Sequence, residues 1–501
     1  MVNGCVSPEN IAGIFMANFQ KNAQPNNGKR VEELKNSFSE EYNKFSSEHS
    51  ENCDCNSYHI SLAKVLDATF SLKKGKSADE DAVSAEHFFN APLSLFERLK
   101  NLFNMMLRHG FVPKQFCSGF ILPIVKDSQG NKADSGNYRG ITISPIISKI
   151  FEHVLKLTFE PHLQTSLHQF GFKKRSSTTH ALYCLKQTIN YYVNNGSRVF
   201  CSFLDASKAF DRLVHAGLFL KLMKRGIPKI FLDILIMWYG NLRCRVRWDN
   251  AFSEWFEMPA GVRQGGILSP DLYCIYVEEL LSRLEALGIG CYVMRKFAAA
   301  LFYADDMAIL APSLKGLQRL LDCCSDFCQE WDVCLNPKKT KNMYFGQRIS
   351  LMQNLLLDGK AIEWVDSWVY LGVSLKSSNK FSCSVVDRLN KFYKCANAIF
   401  RIDGYSDELT MLRLVETHCV PLLTYGVEII HISDPEEQRK LRVAYNSLFR
   451  KIFGYRYFDS VRELQGFLCR PTWEELAEKR KATFMQKLHF FPTDSIMHCF
   501  A

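Results

Sequence analysis

Residues 301–310, LFYADDMAIL, place two adjacent carboxylates inside a run that is otherwise apolar. Successive side chains of a strand point to opposite faces, so Asp305 and Asp306 can share one site only if the backbone turns there. One interpretation is an ordinary hairpin turn, in which Asp is common. The other is a strand–turn–strand that holds both carboxylates near a divalent cation, which relieves their mutual repulsion. The stretch by itself leaves both interpretations open.

A third carboxylate follows another apolar run. Residues 199–204, VFCSFL, predict a buried strand that ends at Asp205, and residues 207–226 predict a helix closed at Gly226. Together with the glycine-rich loop at 261–270 and the acidic stretch, this order matches a two-metal nucleotidyl-transfer site, which needs about three carboxylates around cations ~4 Å apart. Asp205 and Asp305 are 100 positions apart, so the fold must bring them together.

Composition restricts the class of protein. With 501 residues, 47% hydrophobic and 13% aromatic, the chain is long enough for two or three subdomains with substantial cores. The net charge of +10 suits a polyanionic partner. The 18 cysteines contain no CxxC pair, and the close groups are Cys53 with Cys55 and Cys323, Cys324 with Cys328. This usage argues against a zinc ribbon and against a secreted disulfide scaffold.

No stretch of the sequence resembles a targeting or membrane segment. The N-terminus lacks a basic start followed by an apolar core, and no uninterrupted apolar run approaches membrane-spanning length. We therefore expect a soluble, intracellular protein with no membrane partner.

Three arginines alternate with apolar residues in one short segment. In a strand, Arg243, Arg245 and Arg247 lie on one face, where they suit contact with phosphate. The alternative is a solvated sheet edge that is kept charged against aggregation. The pattern alone does not distinguish the two.

Seven stretches occur in the order of the motifs of a known enzyme family. They are YRGITISPIISKIFEHVL (138–155), HQFGFKKRSSTTHAL (168–182), FLDASKAFD (203–211), GVRQGGILSP (261–270), YADD (303–306), LNPKKTK (335–341) and YLGVSL (370–375). From about residue 70 to residue 376 the chain resembles the reverse transcriptases of non-LTR (LINE-type) retrotransposons. The resemblance implies an RNA-directed DNA polymerase that extends a DNA primer with dNTPs on an RNA template.

The resemblance also implies the architecture. We expect an α+β, right-hand polymerase with fingers, a palm made of an antiparallel sheet plus helices, and a helical thumb. The implied segments are a polar N-terminal leader at 1–60, a fingers region at 61–198, a palm at 199–375, and a helical thumb with a C-terminal tail at 376–501. The reverse transcriptase domain as a whole would span about 106–375.

Carried over position by position, the resemblance assigns the metal site. Asp205, Asp305 and Asp306 would be the catalytic carboxylates, with Asp205 and Asp305 as the principal ligands of two Mg²⁺ ions. Ala304 and Asp306 would shape the turn. This agrees with the preference of Mg²⁺ for a few carboxylates completed by waters and substrate phosphates. Lys339 would be the general acid that protonates pyrophosphate, with Lys338 and Lys341 as alternatives.

The substrate contacts follow in the same way. Lys126 and Arg139 would face the triphosphate, and Gln264, Gly265 and Gly266 would line the pocket for the template and the nascent base pair. Phe210 would be the steric gate that rejects the ribose 2′-hydroxyl, although from the pattern alone packing of the helix after the strand is the better explanation of a Phe there. The nucleic-acid contacts would come from Lys173, Lys174, Arg175, Arg243, Arg245 and Arg247.

Departures from the family pattern leave alternatives open. A turn that is usually KSPGPDG-like reads KSADEDA at 76–82, where Ser77 and Asp81 match and the turn residues do not. One alternative is therefore a degenerate or domesticated copy that binds RNA without synthesis. A group II intron-type polymerase with a maturase role is a further alternative, which GVRQGG and YRGITISP disfavour. Without an endonuclease or a cysteine-rich zinc segment, the chain resembles a polymerase piece of a longer element protein or a truncated copy.

Overall fold

The computed structural model describes residues 1–48, 58–128, 130–206, 208–347, 353–402, 407–429 and 435–500. Cys53 and Cys55 lie outside these ranges. The described chain forms two compact units, the first from residues 1–166, 206–283 and 323–335, and the second from residues 167–205, 284–322 and 336–501. Helices and sheets occur in both units, which confirms the α+β class. Among the described residues, no helix combines the length and apolar character that crossing a bilayer requires.

The first unit is helical around one sheet. Its helices are Pro8–Asn22, Gly28–Glu48, Leu62–Phe70, Ala85–Phe89, Leu93–His109, Ile146–Thr158, His215–Lys224 and Lys229–Gly240, with short 3₁₀ turns at Lys114–Cys117, Ser135–Asn137 and Glu160–Leu163. Its strands are Ser118–Val125, Tyr138–Ile143, Arg243–Trp248, Ala251–Phe252 and Phe256–Glu257. The helices Ser269–Ala286 and Leu314–Glu330 each contribute residues to both units.

The arginine-rich strand lies inside the sheet of the first unit. Ser118–Val125 pairs antiparallel with Tyr138–Ile143 and parallel with Arg243–Trp248. The other side of Arg243–Trp248 pairs with the two short strands Ala251–Phe252 and Phe256–Glu257. The interpretation of this segment as a bare sheet edge is therefore wrong.

The N-terminal helix packs on this sheet. It begins after the N-cap Ser7, whose side chain accepts a hydrogen bond from the Asn10 N–H, and it has Pro8 in its first turn, where a missing N–H costs nothing. Phe15 is fully buried, with its ring centroid 4.8 Å from that of Tyr138 and 5.1 Å from that of Trp248. The polar composition of the first 60 residues gave no indication of this packing.

The unusual turn at 76–82 is built around a buried carboxylate. Asp79 is 8% exposed, and its Oδ1 accepts hydrogen bonds from the N–H groups of Asp81 and Val83. Its Oδ2 accepts from the N–H of Ile146, at the start of the helix Ile146–Thr158, which has no side-chain cap of its own. Ala82 has a φ of +59°, where glycine is less strained. The side chain of Asp79 thus stabilises a turn that lacks the Pro and Gly of the family pattern.

The second unit holds the strand that ends in Asp205. Its strands are Val199–Asp205, Tyr292–Val293, Lys296–Phe297, Ala300–Tyr303, Asp306–Ala311, Lys341–Phe345, Leu356–Leu357, Lys360–Ala361, Glu363–Trp364, Ser367–Tyr370, Val373–Lys376 and Ser382–Ser384. Its helices are Thr178–Asn194, Val386–Ile402, Glu408–His418, Val420–Thr424, Pro435–Ile452, Arg462–Phe467 and Trp473–Leu488, followed by a 3₁₀ turn at Ile496–Phe500.

Val199–Asp205 is the central strand of a five-stranded sheet. It pairs antiparallel with Asp306–Ala311 on one side and with Lys341–Phe345 on the other. Ala300–Tyr303 and Glu363–Trp364 complete the two sides. The strand is buried along residues 199–204, so the apolar run predicted the strand and its end correctly.

The helix predicted directly after Asp205 begins later than the sequence indicated. It runs from His215 to Lys224, and Gly226 follows with a φ of +69°. Lys208 has a φ of +53°, a left-handed conformation that a helix cannot include. The prediction that the helix starts at residue 207 is therefore wrong, while the predicted end is confirmed.

Candidate active site

The acidic stretch forms a tight hairpin in the second unit. Ala300–Tyr303 and Asp306–Ala311 are paired antiparallel, with Tyr303 opposite Asp306, so the turn consists of Ala304 and Asp305 alone. Ala304 has a φ of +57°, as a two-residue hairpin turn requires at its first position. The expectation that Ala304 helps to shape the turn is confirmed. Asp306 is the first residue of the next strand and flanks the turn opposite Tyr303.

The register of the sheet brings the predicted carboxylates together. Asp306 lies directly opposite Asp205 on the neighbouring strand, and Asp305 is in the adjoining turn. Residues directly opposite in an antiparallel pair point to the same face, with Cβ atoms about 5 Å apart, and like charges there are destabilising. Asp306 keeps contact with solvent, yet partial burial, followed by the negative charges of Asp305 and Asp205, raises its pKa to about 6.

Asp205 is half-buried, with a side chain that is 37% exposed. Its Oδ2 is buried and makes no hydrogen bond within the described residues, although Lys339 Nζ lies 3.5 Å away. The loop that carries Lys339 is attached to the end of the central strand, because the Asn336 N–H donates to the Asp205 carbonyl oxygen at 2.9 Å. The Lys339 N–H in turn donates to the Asn336 carbonyl oxygen at 3.1 Å. The structure thus brings a cation to the carboxylate that the sequence assigned to metal binding.

The donor set fits a hard divalent cation. Within the described residues, no three His, Cys, Asp or Glu side chains converge into a metal site as they stand. However, Asp205 has a buried carboxylate oxygen without a hydrogen bond, and a second carboxylate lies directly opposite. Carboxylate oxygens at this spacing suit Mg²⁺, which keeps several waters and needs only one or two carboxylates from the protein.

A buried glutamine, Gln169, accepts a hydrogen bond from the backbone of the hairpin turn. Residues 168–170 run beside the strand Ala300–Tyr303, with the Phe170 N–H donating to the Phe302 carbonyl oxygen at 2.7 Å. Gln169 is 2% exposed, and its Oε1 accepts from the N–H groups of both Gly171 and Ala304 at 2.9 Å. A Cβ at Gly171 would lie 2.6 Å from the Ala304 nitrogen, so only glycine fits there.

The predicted nucleotide contacts lie in the first unit around a partly buried acid, Asp211. Burial raises the pKa of Asp211. A hydrogen bond from Gln264 and the positive charges of Lys126 and Arg139 lower the pKa and offset part of that rise. Gln264 Nε2 donates to Asp211 Oδ1 at 2.5 Å. Lys126 and Arg139 are exposed at the end of the hairpin made by Ser118–Val125 and Tyr138–Ile143. The side chain of Gln264 is therefore tied to an acid, and two of the predicted cations are within electrostatic reach of that acid.

The glycine-rich loop needs glycine for contact between backbones. Gly265 has a φ of +116°, and a Cβ there would lie 2.7 Å from the Thr142 carbonyl oxygen. The Thr142 N–H donates to the Gln264 carbonyl oxygen at 2.8 Å, which joins the loop to the strand Tyr138–Ile143. A Cβ at Gly266 would meet Ser269 Oγ at 2.5 Å. The loop therefore lies close against the strand that carries Arg139.

Phe210 is half-buried in the first unit. Its ring stacks on Tyr273 with the centroids 4.7 Å apart and the planes at 24°. The Val262 N–H donates to the Phe210 carbonyl oxygen at 2.7 Å. One face of the ring is thus supported by Tyr273, a geometry that suits both a packing role and a rigid gate.

The arginine face is partly occupied by neighbouring side chains. Arg245 forms an ion pair with Glu80, and its guanidinium lies 3.9 Å from the ring centroid of Phe252. Arg243 and Arg245 both lie 4.9 Å from the ring centroid of Trp255. The strand and its common face are confirmed, but the guanidiniums are stacked on aromatic rings.

In the second unit, Lys173, Lys174 and Arg175 precede the helix Thr178–Asn194, and Lys174 and Arg175 are exposed.

Gln169 and Arg263 are among the buried polar residues within the motifs that the sequence did not predict. Gln169 in HQFGF holds the turn, and Arg263 in GVRQGG is 4% exposed. Arg263 donates to the Phe116 carbonyl oxygen at 3.2 Å and lies 3.6 Å from a carboxylate oxygen of Glu152. Neither residue has a periodic signal, because an isolated polar residue in a loop looks solvent-exposed in sequence.

Known proteins resemble this chain. Residues 128–375 match the family described as reverse transcriptase (RNA-dependent DNA polymerase). The chain is 23% identical over 446 residues to the RNA-directed DNA polymerase from mobile element jockey of Drosophila melanogaster. It is 26% identical over 446 residues to the probable RNA-directed DNA polymerase from transposon BS of the same organism. Each alignment covers 86% of this chain and 48% of the relative, so the chain spans about half the length of these relatives.

Among solved structures, apo telomerase from Candida tropicalis has a TM-score of 0.42 and 12% sequence identity. That comparison covers 81% of this chain and 67% of the telomerase chain.

The Gln169 contact yields the first prediction. Gln169→Met keeps the length of the side chain and removes the oxygen that accepts from Gly171 and Ala304. Leaving two buried N–H groups without an acceptor costs roughly 1–3 kcal/mol per group. We therefore expect these amides to exchange hydrogen at least about tenfold faster, because local opening becomes easier. Hydrogen exchange of peptides that cover residues 168–172 and 300–311 measures the effect.

The control for this prediction is Gln164→Met, at an exposed position. Peptides that cover the strand Lys341–Phe345 should exchange at the parental rate in both variants. Unchanged exchange at Gly171 and Ala304 in Gln169→Met would show that this side chain does not hold the turn.

Proposed function

Because this chain belongs to the reverse transcriptases of non-LTR retrotransposons, we propose that it is an RNA-directed DNA polymerase. It extends the 3′-hydroxyl of a DNA primer with dNTPs on an RNA template. The observation that carries the proposal is the register of the central sheet, in which Asp306 lies opposite Asp205 and beside Asp305 in the turn. That arrangement within the family's motif YADD supports a nucleotidyl-transfer site.

Asp205, Asp305 and Asp306 are the proposed metal ligands. Reverse transcriptases use divalent metal ions, and we propose two Mg²⁺ ions here. When bound, such ions lower the pKa of the primer hydroxyl and stabilise the pyrophosphate leaving group. Asp205 supplies a carboxylate oxygen that makes no hydrogen bond among the described residues. Gln169 keeps the backbone of the turn in place, and with it the position of Asp305.

Lys339 is the proposed general acid. Its ammonium lies 3.5 Å from Asp205 Oδ2 and its side chain is 64% exposed, so the group is both close to the carboxylates and free to reorient. A cation here neutralises part of the carboxylate repulsion. We propose that Lys339 donates a proton to the pyrophosphate as it leaves.

The first unit supplies the proposed nucleotide contacts. Lys126 and Arg139 are exposed cations, and each is proposed to bind the triphosphate, where negative charge develops during transfer. Gln264, Gly265 and Gly266 are proposed to line the pocket for the template and the nascent base pair. The hydrogen bond from Gln264 to Asp211 fixes the orientation of the amide, and the two glycines allow close approach of the backbone.

The basic segments are the proposed contacts for nucleic acid. Arg243, Arg245 and Arg247 remain charged when they stack on aromatic rings, so they still attract phosphate. Lys173, Lys174 and Arg175 extend the basic surface of the second unit. The division into a leader at 1–60, fingers at 61–198, a palm at 199–375 and a thumb with a C-terminal tail at 376–501 is likewise a proposal.

A copy that binds RNA without synthesis is the second candidate. The observation that favours it is the loss of Pro and Gly at 76–82, together with the left-handed backbone at Ala82. The hydrogen bonds of Asp79 weigh against it, because they form the turn by other means.

Primer extension by the Asp305→Asn variant tests the proposal. The substitution removes one negative charge without changing the size of the side chain. Extension on a heteropolymeric RNA template with Mg²⁺ should be abolished, because the carboxylate serves the metals. Affinity for RNA should stay nearly unchanged, because the Asp305 carboxylate repels phosphate and so contributes no attraction that the substitution could remove. The matched control is Asp366→Asn, at an exposed site outside the motifs.

Two outcomes count against the proposal. Extension by Asp305→Asn near the parental rate would show that the catalytic assignment is wrong. RNA binding by the parental protein without any extension would favour the second candidate.

Phe210 is the proposed steric gate, and Phe210→Val tests it. If the ring lies under the C2′ position of the incoming nucleotide, the smaller side chain admits rNTPs while dNTP incorporation falls modestly. The ratio of kcat/KM for dCTP to that for CTP should drop by at least roughly tenfold, or roughly 1.4 kcal/mol. A role in packing alone predicts a less stable protein that loses activity on both substrates with the same ratio.

A further inference from the structure

The second unit contains a cavity of about 440 Å³ to which no residue of the acidic hairpin contributes. One wall is the first turn of the helix Thr178–Asn194, and the other is one face of the helix Trp473–Leu488. The family match ends at residue 375, so the second wall lies outside the matched segment. Neither the motifs nor the proposed polymerase function assign a role to this cavity.

The lining is positively charged. It contains Lys479, Arg480, Lys487 and one acid, Glu428, so three positive charges and one negative charge leave +2. Arg480 lies 3.4 Å from Glu428 Oε1, and this ion pair accounts for the acid. Lys479 and Lys487 are exposed and form no ion pair within the described residues. Two cations therefore remain for a ligand.

The spacing of the two lysines suits an extended anion. Lys479 and Lys487 are eight residues apart on one helix, which corresponds to about 12 Å at 1.5 Å per residue. Thr483 lies between them on the same face and also lines the cavity. A chain of linked phosphates can pair with both lysines at once, with a separate phosphate for each ammonium group.

The opposite wall offers backbone donors. The helix Thr178–Asn194 has 17 residues, and the side chain of its N-cap Ser177 makes no hydrogen bond to the backbone N–H groups of the first turn. Ser177 Oγ is instead 2.9 Å from His180 Nδ1. The N–H groups of Thr178 and Thr179 make no hydrogen bond within the described residues. Free N–H groups at a helix N-terminus, with the helix dipole, favour a negatively charged ligand.

His180 provides an independent sign of a missing partner. It lines the cavity and is only 4% exposed, and its Nε2 makes no hydrogen bond among the described residues. Burial, and then the charge of Lys487, lower the pKa of His180 to about 4, so the ring is neutral at pH 7. When the Ser177 hydroxyl donates to Nδ1, the ring proton is on Nε2. That atom is then a buried donor without an acceptor.

We propose that this cavity binds the phosphodiester backbone of the nucleic acid on which the protein acts. Lys479 and Lys487 contact two phosphates of one strand, and the first-turn N–H groups of the helix Thr178–Asn194 bind a phosphate of the same strand. Arg175, whose guanidinium lies 5.9 Å from the ring centroid of Phe490, extends the charge beyond the cavity. That the anion belongs to a nucleic acid rests on the proposed polymerase function, whereas the anion site itself does not.

The charge arm of the test uses the full chain and a labelled RNA–DNA duplex. Affinity is measured by fluorescence anisotropy over a series of KCl concentrations. The double variant Lys479→Gln and Lys487→Gln should bind more weakly, and its log–log salt slope should be smaller by about two units. Lys481→Gln is the matched control, because Lys481 is on the same helix and does not line the cavity. Its slope should equal that of the parent.

The backbone arm changes one N–H without changing charge. Proline is tolerated in the first turn of a helix and lacks the N–H. Thr178→Pro and Thr178→Ala both lose the hydroxyl, which is 2.9 Å from the hydroxyl of Tyr425, and only the proline variant loses the donor. We expect Thr178→Pro to bind the duplex several-fold more weakly than Thr178→Ala, with the same salt slope.

Primer extension measured in parallel separates this inference from the proposed function. A reduced slope in a protein that does not extend primers supports the site and contradicts the polymerase. Extension by a protein whose double variant keeps the parental slope overturns the site. The proposed contact with nucleic acid is also overturned if the double variant differs from the parent only in how inorganic phosphate competes for binding, while its affinity for the duplex is unchanged.

Discussion

Two like charges face each other across adjacent strands, and much of the proposed active site follows from how they are held there. The pairing of Val199–Asp205 with Asp306–Ala311 puts Asp205 opposite Asp306, although repulsion between them opposes it. The buried apolar residues of the central strand and its second neighbour, Lys341–Phe345, keep the register fixed. A shift by one residue would turn the whole buried face of the strand to the other side of the sheet. Burial of the sheet therefore stabilises a charge arrangement that is unfavourable by itself.

Two other segments support the same point. Gln169 accepts hydrogen bonds from the turn, and Asn336 donates to the end of the central strand, so four segments that are distant in sequence converge at the carboxylates. The loop of Asn336 also carries Lys339, whose ammonium is the cation near Asp205 in the structure. Such a cation offsets some of the repulsion in the absence of a metal, and its exposed side chain can move away when other groups approach. The chemistry we propose uses each of these contacts.

Sequence patterns predicted the elements that burial defines. The apolar run ending at Asp205 and the alternation of Arg243, Arg245 and Arg247 both appeared as strands, because burial imposes a period on the sequence. The start of the helix after Asp205 was missed, since the left-handed backbone at Lys208 leaves no trace in hydrophobic periodicity. The spatial match between Asp205 and Asp306 was not predictable from spacing, because pairing between distant strands depends on the whole sheet.

Contacts made by single polar side chains were also not predictable from the sequence. Asp79 forms a turn where the family pattern has Pro and Gly, and Arg263 is buried beside Glu152. Asp79 also accepts a hydrogen bond from Ile146, and both Ile146 and the partner of Arg263 are far away in the chain. The residue type alone indicates a solvated loop. The packed N-terminal helix shows the same limit, since its buried residues, including Phe15, are few within a polar segment.

The pairing of Asp205 with Asp306 implies that these carboxylates destabilise the folded protein until a divalent cation binds. Thermal unfolding of the parent and of Asp306→Asn, without and with Mg²⁺, measures this effect. Without divalent cations the Tm of Asp306→Asn should exceed that of the parent, because the cross-strand repulsion is gone. Mg²⁺ should then raise the Tm of the parent by more than that of the variant, because a ligand that binds only the folded state stabilises it. A variant that is less stable than the parent without Mg²⁺, or an equal gain in Tm for both proteins, would show that the carboxylate pair is not a source of instability that the cation relieves.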